Sequence, residues 1–139
     1  MGYCLKDTDT KNCIPKEVFN VFKTLYDAVS LGQKFASAKA KGYEVDSVVR
    51  NYILKNNYPN YNHGTGHCVG EKAHNYGARL STKNIYESNL NLFPNAIYTI
   101  EPRIMIPNGG SIEEMIVVKE NSSEFISPRQ KKLYLIKKK

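Results

Sequence analysis

The sequence has no tryptophan, only three cysteines and no long apolar run, and each scarcity excludes a class of protein. No stretch approaches the roughly 18 consecutive apolar residues of a transmembrane helix, so we expect no membrane span. The first ten residues lack the apolar segment of a secretory signal. Cys4, Cys13 and Cys68 are odd in number and have no CxxC spacing. This argues against a disulfide framework or a zinc ribbon and predicts a reducing, cytoplasmic location.

Positive charge is in excess, but the basic residues are not clustered in one part of the sequence. Twenty Lys and Arg stand against 13 Asp and Glu, for a net charge of +7 in 139 residues. The basic residues are dispersed, apart from Lys131–Lys132 and Lys137–Lys139. No aromatic RNA-binding signature or glycine-rich phosphate loop accompanies them. We therefore interpret the charge as a solvated surface, and the sequence does not indicate a nucleic-acid partner.

Two amphipathic helices are predicted in the first half of the chain. Pro15 suits a first helical turn, because its missing N–H has no intrahelical partner there. Apolar residues then recur at helical spacing, and Gly42 is predicted to end this helix. A second helix is predicted over 45–56. The inward positions of the two helices are Val18, Phe22, Leu25, Val29 and Ala36, then Val45, Val48, Val49, Tyr52 and Ile53.

The second half of the chain is typical of strands. Segments rich in Ile, Val, Tyr and Thr lie at 76–80, 96–106 and 114–118, and residues 133–136 add a last strand or helical turn. Asn108-Gly109-Gly110 predicts a hairpin. Ile104 is taken as an apolar residue at a sheet edge. Two helices followed by antiparallel strands predict an α+β fold.

Histidines and glycines cluster in one short stretch. His63, His67 and His74 are the three histidines of the chain, and they lie within twelve positions of one another. Glycines alternate around the first two, which lets the backbone approach a ligand closely. A neutral imidazole binds divalent metals and carries protons, so this stretch is a candidate metal or proton-transfer site.

Two further stretches supply carboxylates. Glu101 interrupts the β-branched run of 97–102, where a buried carboxylate needs a metal or a cationic partner. Glu113 and Glu114 begin an apolar strand, so alternation points one inward and the other outward. One histidine with several carboxylates is an oxygen-rich ligand set, which favours Mn²⁺, Co²⁺ or Fe²⁺ over structural zinc.

The order HxxGHxxG, a histidine seven residues later, TIEP and a Gly-x-Ile-Glu-Glu strand resembles the pita-bread metallopeptidases. That family includes methionine aminopeptidase, Xaa-Pro aminopeptidase and prolidase, and HGTGH with TIEP is similar to the Xaa-Pro branch. The resemblance implies that residues 1–139 form the C-terminal half of a pita-bread (creatinase/aminopeptidase-like) domain. Helices would pack on a curved antiparallel sheet, and the N-terminal half would be missing.

The resemblance also implies residue roles in amide hydrolysis at a centre of two divalent metal ions, with Mn²⁺ or Co²⁺ expected and Fe²⁺ or Zn²⁺ as further possibilities. His67, Glu101 and Glu113 would be metal ligands, with Glu101 also accepting a proton from the bridging water. His74 would assist proton transfer or stabilise the tetrahedral intermediate, and His63 would line the substrate subsite. We expect His67, Glu101 and Glu113 to converge in one cavity.

The chain departs from the family pattern at its two aspartate ligands. Aligned without a gap, Lys6 takes the place of the second aspartate, and the first would precede Met1. A shift of one residue brings Asp7 into the ligand place, but Thr8 and Thr10 then lose their match. The resemblance therefore implies impaired catalysis by this chain alone.

Two other functions remain open at this point: a non-catalytic module that binds peptides or proteins, and a ribosome- or RNA-associated member, suggested only by the charge. The expected partners are a peptide substrate or ligand and either a second copy of the chain or a separate polypeptide with the N-terminal half. Either polypeptide would cover the sheet edge and apolar surface that the missing half exposes.

Overall fold

A computed structural model describes residues 1–5 and 14–137. The N-terminal residues form β1 (Gly2–Leu5), which pairs in parallel with β9 (Tyr134–Lys137). Lys6, Asp7, Thr8, Thr10 and Cys13, on which the interpretation of the aspartate ligands and the cysteines partly rests, lie outside the described residues. None of the helices in the described part is long and apolar enough to cross a membrane.

The first helix, α1, spans Lys16–Phe35 and follows Pro15 as predicted. Its buried stripe contains Val18, Val21, Leu25, Ala28 and Val29, whereas Phe22 is only half-buried. The expectation that this helix continues to Gly42 is wrong. Ala36 is already extended, with φ −66° and ψ 129°.

The second helix, α2, spans Gly42–Lys55, so Gly42 opens a helix instead of ending one. Glu44 accepts a hydrogen bond from the Lys41 backbone N–H at 2.8 Å, which satisfies a free donor at this helix start. A Cβ on Gly42 would lie 2.1 Å from the carbonyl oxygen of Arg79, so the helix end approaches that backbone closely. Of the predicted inward residues, Val48 and Tyr52 are only half-buried.

The central sheet has five antiparallel strands in the order β3-β2-β4-β7-β8. Their bounds are β2 Gly66–Val69, β3 Arg79–Leu80, β4 Ile97–Ile100, β7 Glu114–Val118 and β8 Ser123–Phe125. The strand expected over 76–80 is thus reduced to its last two residues, and β2 and β8 were not predicted.

The strand expected over 96–106 is divided at Pro102, which has no N–H for a sheet ladder. Its second part, β5 (Arg103–Ile104), pairs with β6 (Gly110–Ser111) across the predicted glycine hairpin. Ile104 is 1% exposed, so its placement at an open sheet edge is wrong. It packs in the main core.

Both helices cover one face of the central sheet. Tyr98, Ile100 and Ile116 point into this interface and are fully buried. A Cβ on Gly32 of α1 would meet Val49 of α2 at 2.6 Å and Ile100 of β4 at 3.4 Å, so a glycine allows the three elements to meet closely. The opposite face carries the alternate residues, among them His67 and Thr99, and the candidate site lies on that face.

Candidate functional site

Glu101 and Glu113 face each other across the long hairpin. Ile100 pairs with Glu114 in the β4–β7 ladder, and Arg103 pairs with Ser111 in the β5–β6 ladder. Both pairings keep the same register, which places Glu101 directly opposite Glu113 where the ladder is interrupted. Opposed residues of antiparallel strands have Cβ atoms about 5 Å apart. The two carboxylates are therefore a cross-strand pair of like charge.

The surroundings of Glu101 disfavour its ionised form. Burial raises the pKa of Glu101 above its ordinary value, and the nearby Glu113 carboxylate raises it further. His67, His63 and His74 act in the opposite direction, because a positive charge on any of these rings would stabilise the Glu101 carboxylate. A cation between the carboxylates would relieve the same cost.

His67 is held so that one ring nitrogen is free to face Glu101. Its backbone N–H donates to Thr99 Oγ1 at 3.0 Å, and its Nδ1 lies 3.0 Å from the Cys68 carbonyl oxygen. A carbonyl oxygen only accepts, so Nδ1 carries the hydrogen and Nε2 keeps its lone pair in the neutral ring. Nε2 lies 3.9 Å from Glu101 Oε1. This tautomer, fixed by a hydrogen bond on the far nitrogen, is typical of metal-ligating histidines.

The other two histidines lie beside this pair. The ring of His74 is 4.1 Å from that of His67 between centroids. His63 Nδ1 donates to the Gly64 carbonyl oxygen at 2.7 Å, which leaves its Nε2 as an acceptor too. The sequence cluster is therefore also a spatial cluster.

The histidines and the two glutamates line two adjoining cavities. One, of about 350 Å³, is lined by His63, His67, His74, Arg79 and Glu101 together with Gly64, Gly66 and Asn75. The other, of about 440 Å³, is lined by Asn62, His63, Glu101, Arg103, Ser111 and Glu113. His63 and Glu101 line both.

The structure brings the predicted ligands together in pairs. His67 lies with Glu101, and Glu101 lies opposite Glu113. Within residues 1–5 and 14–137, no three side chains of His, Cys, Asp or Glu are close enough to form a metal site. The position of Lys6, where the resemblance places an aspartate ligand, lies outside the described residues.

Glu114 points away from the site, into the helix-covered face. It is 9% exposed, and its Oε1 lies 3.7 Å from Nε of Arg129. The guanidinium of Arg129 lies between the rings of Tyr26 and Phe125, at 3.8 and 4.5 Å from their centroids. The alternation predicted for Glu113 and Glu114 is present, with Glu113 exposed on the site face.

Sequence reasoning missed three arginines near the site. Arg103 lines the second cavity from β5. Arg79 lines the His67 cavity from β3, where it pairs across the strands with His67. Arg50 is buried in α2 and contacts the backbone of Tyr61 and His63. For Arg50 a signal was present, since Asp46 precedes it by four residues, a spacing at which helix side chains meet.

Comparison with known proteins shows one consistent similarity. Residues 1–120 match metallopeptidase family M24. The uncharacterized peptidase YqhT of Bacillus subtilis (strain 168) is 31% identical over 140 residues, which is 97% of this chain and 38% of YqhT.

Solved structures of peptidases are similar to this chain as well. The X-Pro aminopeptidase from Thermotoga maritima MSB8 superposes with a TM-score of 0.78 at 28% identity, covering 88% of this chain and 34% of that chain. The prolidase from Pyrococcus horikoshii OT3 gives a TM-score of 0.75 at 29% identity, covering 86% of this chain and 34% of that chain. The chain thus spans little more than a third of the length of these proteins.

Proposed function

The chain belongs to metallopeptidase family M24, and from this premise we propose that it carries part of a metal-dependent peptidase site directed at Xaa-Pro peptides. The fold, two helices on an antiparallel sheet, is the corresponding part of the pita-bread fold of the X-Pro aminopeptidase and prolidase structures. In this proposal His67, Glu101 and Glu113 are metal ligands. His63 and His74 contact the peptide.

The observation that supports the proposal most is the free Nε2 of His67, 3.9 Å from the Glu101 carboxylate. The nitrogen and oxygen are too far apart for a hydrogen bond, so two electron-pair donors face each other with no proton between them, and a divalent cation would stabilise such a pair. Glu113, opposite Glu101, adds a second anionic oxygen ligand. This donor set fits Mn²⁺ or Co²⁺.

When bound, a divalent ion would polarise the peptide carbonyl and lower the pKa of a coordinated water. The side chains of the chain account for the remaining tasks. In this proposal Glu101, which lines both cavities, also accepts a proton from that water. His74, beside His67 in the same cavity, is placed to move a proton at the cavity wall.

We further propose that this chain alone binds at most one divalent ion weakly and hydrolyses Xaa-Pro dipeptides negligibly. His67, Glu101 and Glu113 are three side chains, a small ligand set for a dinuclear centre. Lys6, which the motif alignment sets against an aspartate ligand, would add a positive charge at a cation site.

Titration with Mn²⁺, followed by the loss of the free-ion EPR signal, tests the proposal. We expect one weak site, and we expect His67→Ala and Glu113→Gln each to weaken binding at least tenfold, or about 1.4 kcal/mol. Glu124→Gln is the matched control, because Glu124 is an exposed carboxylate on the adjacent strand β8. Equal binding by all four proteins would refute the ligand assignment. Two tight sites, or turnover of an Xaa-Pro dipeptide that disappears in Glu113→Ala, would refute the proposed impairment.

A further inference from the structure

Arg50 makes an unusually complete set of hydrogen bonds for one side chain. Its Nε and NH2 donate to the two carboxylate oxygens of Asp46, at 2.9 and 2.7 Å. NH1 donates to Asn60 Oδ1 and to the Tyr61 carbonyl oxygen, at 2.8 and 2.6 Å, and NH2 also donates to the His63 carbonyl oxygen at 2.9 Å. All five N–H donors of the guanidinium thus have acceptors, three of them on the segment 60–63.

Asp46 extends the same network beyond that segment to Thr65. Its Oδ1 also accepts a hydrogen bond from Thr65 Oγ1 at 2.6 Å, and Thr65 Oγ1 lies 2.5 Å from the Tyr61 hydroxyl. Asp46, Tyr61 and Thr65 are 2%, 2% and 0% exposed. The centre of the network is therefore buried as well as fully paired, a condition in which polar side chains fix a single arrangement.

Both ends of the network lead to the site. The Arg50 guanidinium lies 4.0 Å from the centre of the Tyr61 ring, and the Tyr61 ring lies 4.9 Å from that of His63. On the other side, the backbone N–H of Glu101 donates to the Thr65 carbonyl oxygen at 2.7 Å. Residues 60–65, which α2 holds, thus contact Glu101 and include His63, and these two residues line both cavities.

We propose that Arg50, with Asp46, is a positioning residue that sets the place of the His63 ring relative to Glu101. The fork shape of the guanidinium allows this: it engages Asp46 with two nitrogens while NH1 and NH2 donate to three acceptors on the segment 60–63. A lysine at this position has three donors at one point and does not span these acceptors. The importance of His63 to peptide binding rests on the proposed function, whereas its placement by Arg50 does not.

The experiment compares the metal-free protein with Arg50→Met and Arg50→Lys by NMR. Two measurements report the positioning: the ring-to-ring NOE between Tyr61 and His63, and hydrogen exchange of the Glu101 amide, which bonds to Thr65. We expect both Arg50 variants to lose the NOE and to exchange the Glu101 amide about tenfold faster or more.

Arg129→Met is the matched control for a purely structural effect. The Arg129 side chain is also only 9% exposed and faces a buried carboxylate, Glu114, and two aromatic rings, but it makes no contact with residues 60–65. We expect Arg129→Met to lower the melting temperature while keeping the NOE and the slow exchange of Glu101. Rescue of both signals by Arg50→Lys, or their equal loss in Arg129→Met, would overturn the proposal.

Asn60→Ala provides a second test of the proposal if Arg50→Met does not fold. Asn60 is exposed, and its replacement removes one of the five acceptors without disturbing α2. We expect a partial loss of the Tyr61–His63 NOE in this variant, and an unchanged NOE would count against the proposal. Because no metal or substrate is present, failure here is distinct from failure of the Mn²⁺ titration, which tests the peptidase proposal.

Discussion

Glu101 is costly to ionise in the folded chain, because burial and the facing Glu113 raise its pKa. The unfolded chain loses this proton near the ordinary pKa, and the folded chain loses it only at higher pH. Between these values the folded state binds more protons, so stability falls as pH rises. We therefore expect Glu101→Gln to raise the melting temperature of the metal-free protein at pH 7 by on the order of 3 °C. Below pH about 4, where both states are protonated, the gain should vanish.

Thermal unfolding across pH, followed by circular dichroism, measures this effect. Glu113→Gln removes the facing charge and should give part of the same stabilisation at pH 7. Glu124→Gln, an exposed carboxylate on the neighbouring strand, should leave the melting temperature unchanged. A Glu101→Gln protein that melts at or below the temperature of the parent chain at pH 7 would show that the carboxylate pair carries no such cost.

The start of α2 shows how an element can depend on a close approach that the sequence does not reveal. Gly42 was predicted to end α1, because glycine is common after helix ends. In the structure Gly42 is the first residue of α2, and its missing side chain lets the helix meet the Arg79 carbonyl of β3. A glycine is present here because of a tertiary contact, and it does not mark a helix end.

We expect Gly42→Ala to destabilise the protein by about 1–3 kcal/mol, because backbone lies where the Cβ would be and cannot move aside easily. Chemical denaturation of the variant measures this loss. Asn51→Ala changes an exposed position of the same helix, where the replacement should be neutral or slightly stabilising. An unchanged stability in Gly42→Ala would mean that the helix start and β3 separate without cost.

Local patterns predicted the elements whose residues bury one face with a clear period. The alternation of 114–118 gave β7 with its bounds, and the apolar stripe after Pro15 gave the start of α1. Long-range contacts decided the rest. The pairing of β2 with β4 and β3 turned a glycine-rich stretch into a strand, and Pro102 divided a continuous apolar run.

The candidate site was predictable as a set of residues but not as an arrangement. His63, His67 and His74 stand out by spacing, and Glu101 stands out as a charge in a β-branched run. The register that places Glu101 opposite Glu113 depends on the turn and on two separate ladders. The contacts of Arg50 with residues 60–63 could not be predicted from the sequence either, because a loop brings those carbonyl oxygens back to the helix.

On the scale of the whole molecule, the two faces of the central sheet differ. The helices bury Tyr98, Ile100 and Ile116 completely on one face. On the other face Met115 is 38% exposed, and its neighbours Ile97 and Val117 are only partly buried. Apolar side chains exposed side by side on a sheet favour association.

We propose that a second copy of the chain covers this open face in a two-fold dimer, the commonest form of soluble assembly. Ile104, which was expected at a sheet edge, is buried in the core, so a charge there would unfold the chain. Met115→Glu is the appropriate change. By sedimentation velocity at roughly 50 μM, we expect a dimer for the parent chain and a monomer for Met115→Glu, since a buried unpaired charge opposes association. The melting temperature should rise with concentration only for the parent chain.

Leu54→Glu, which changes an equally exposed apolar residue on α2, should leave the dimer intact. A parent chain that is monomeric at this concentration would show that the open face needs no second copy.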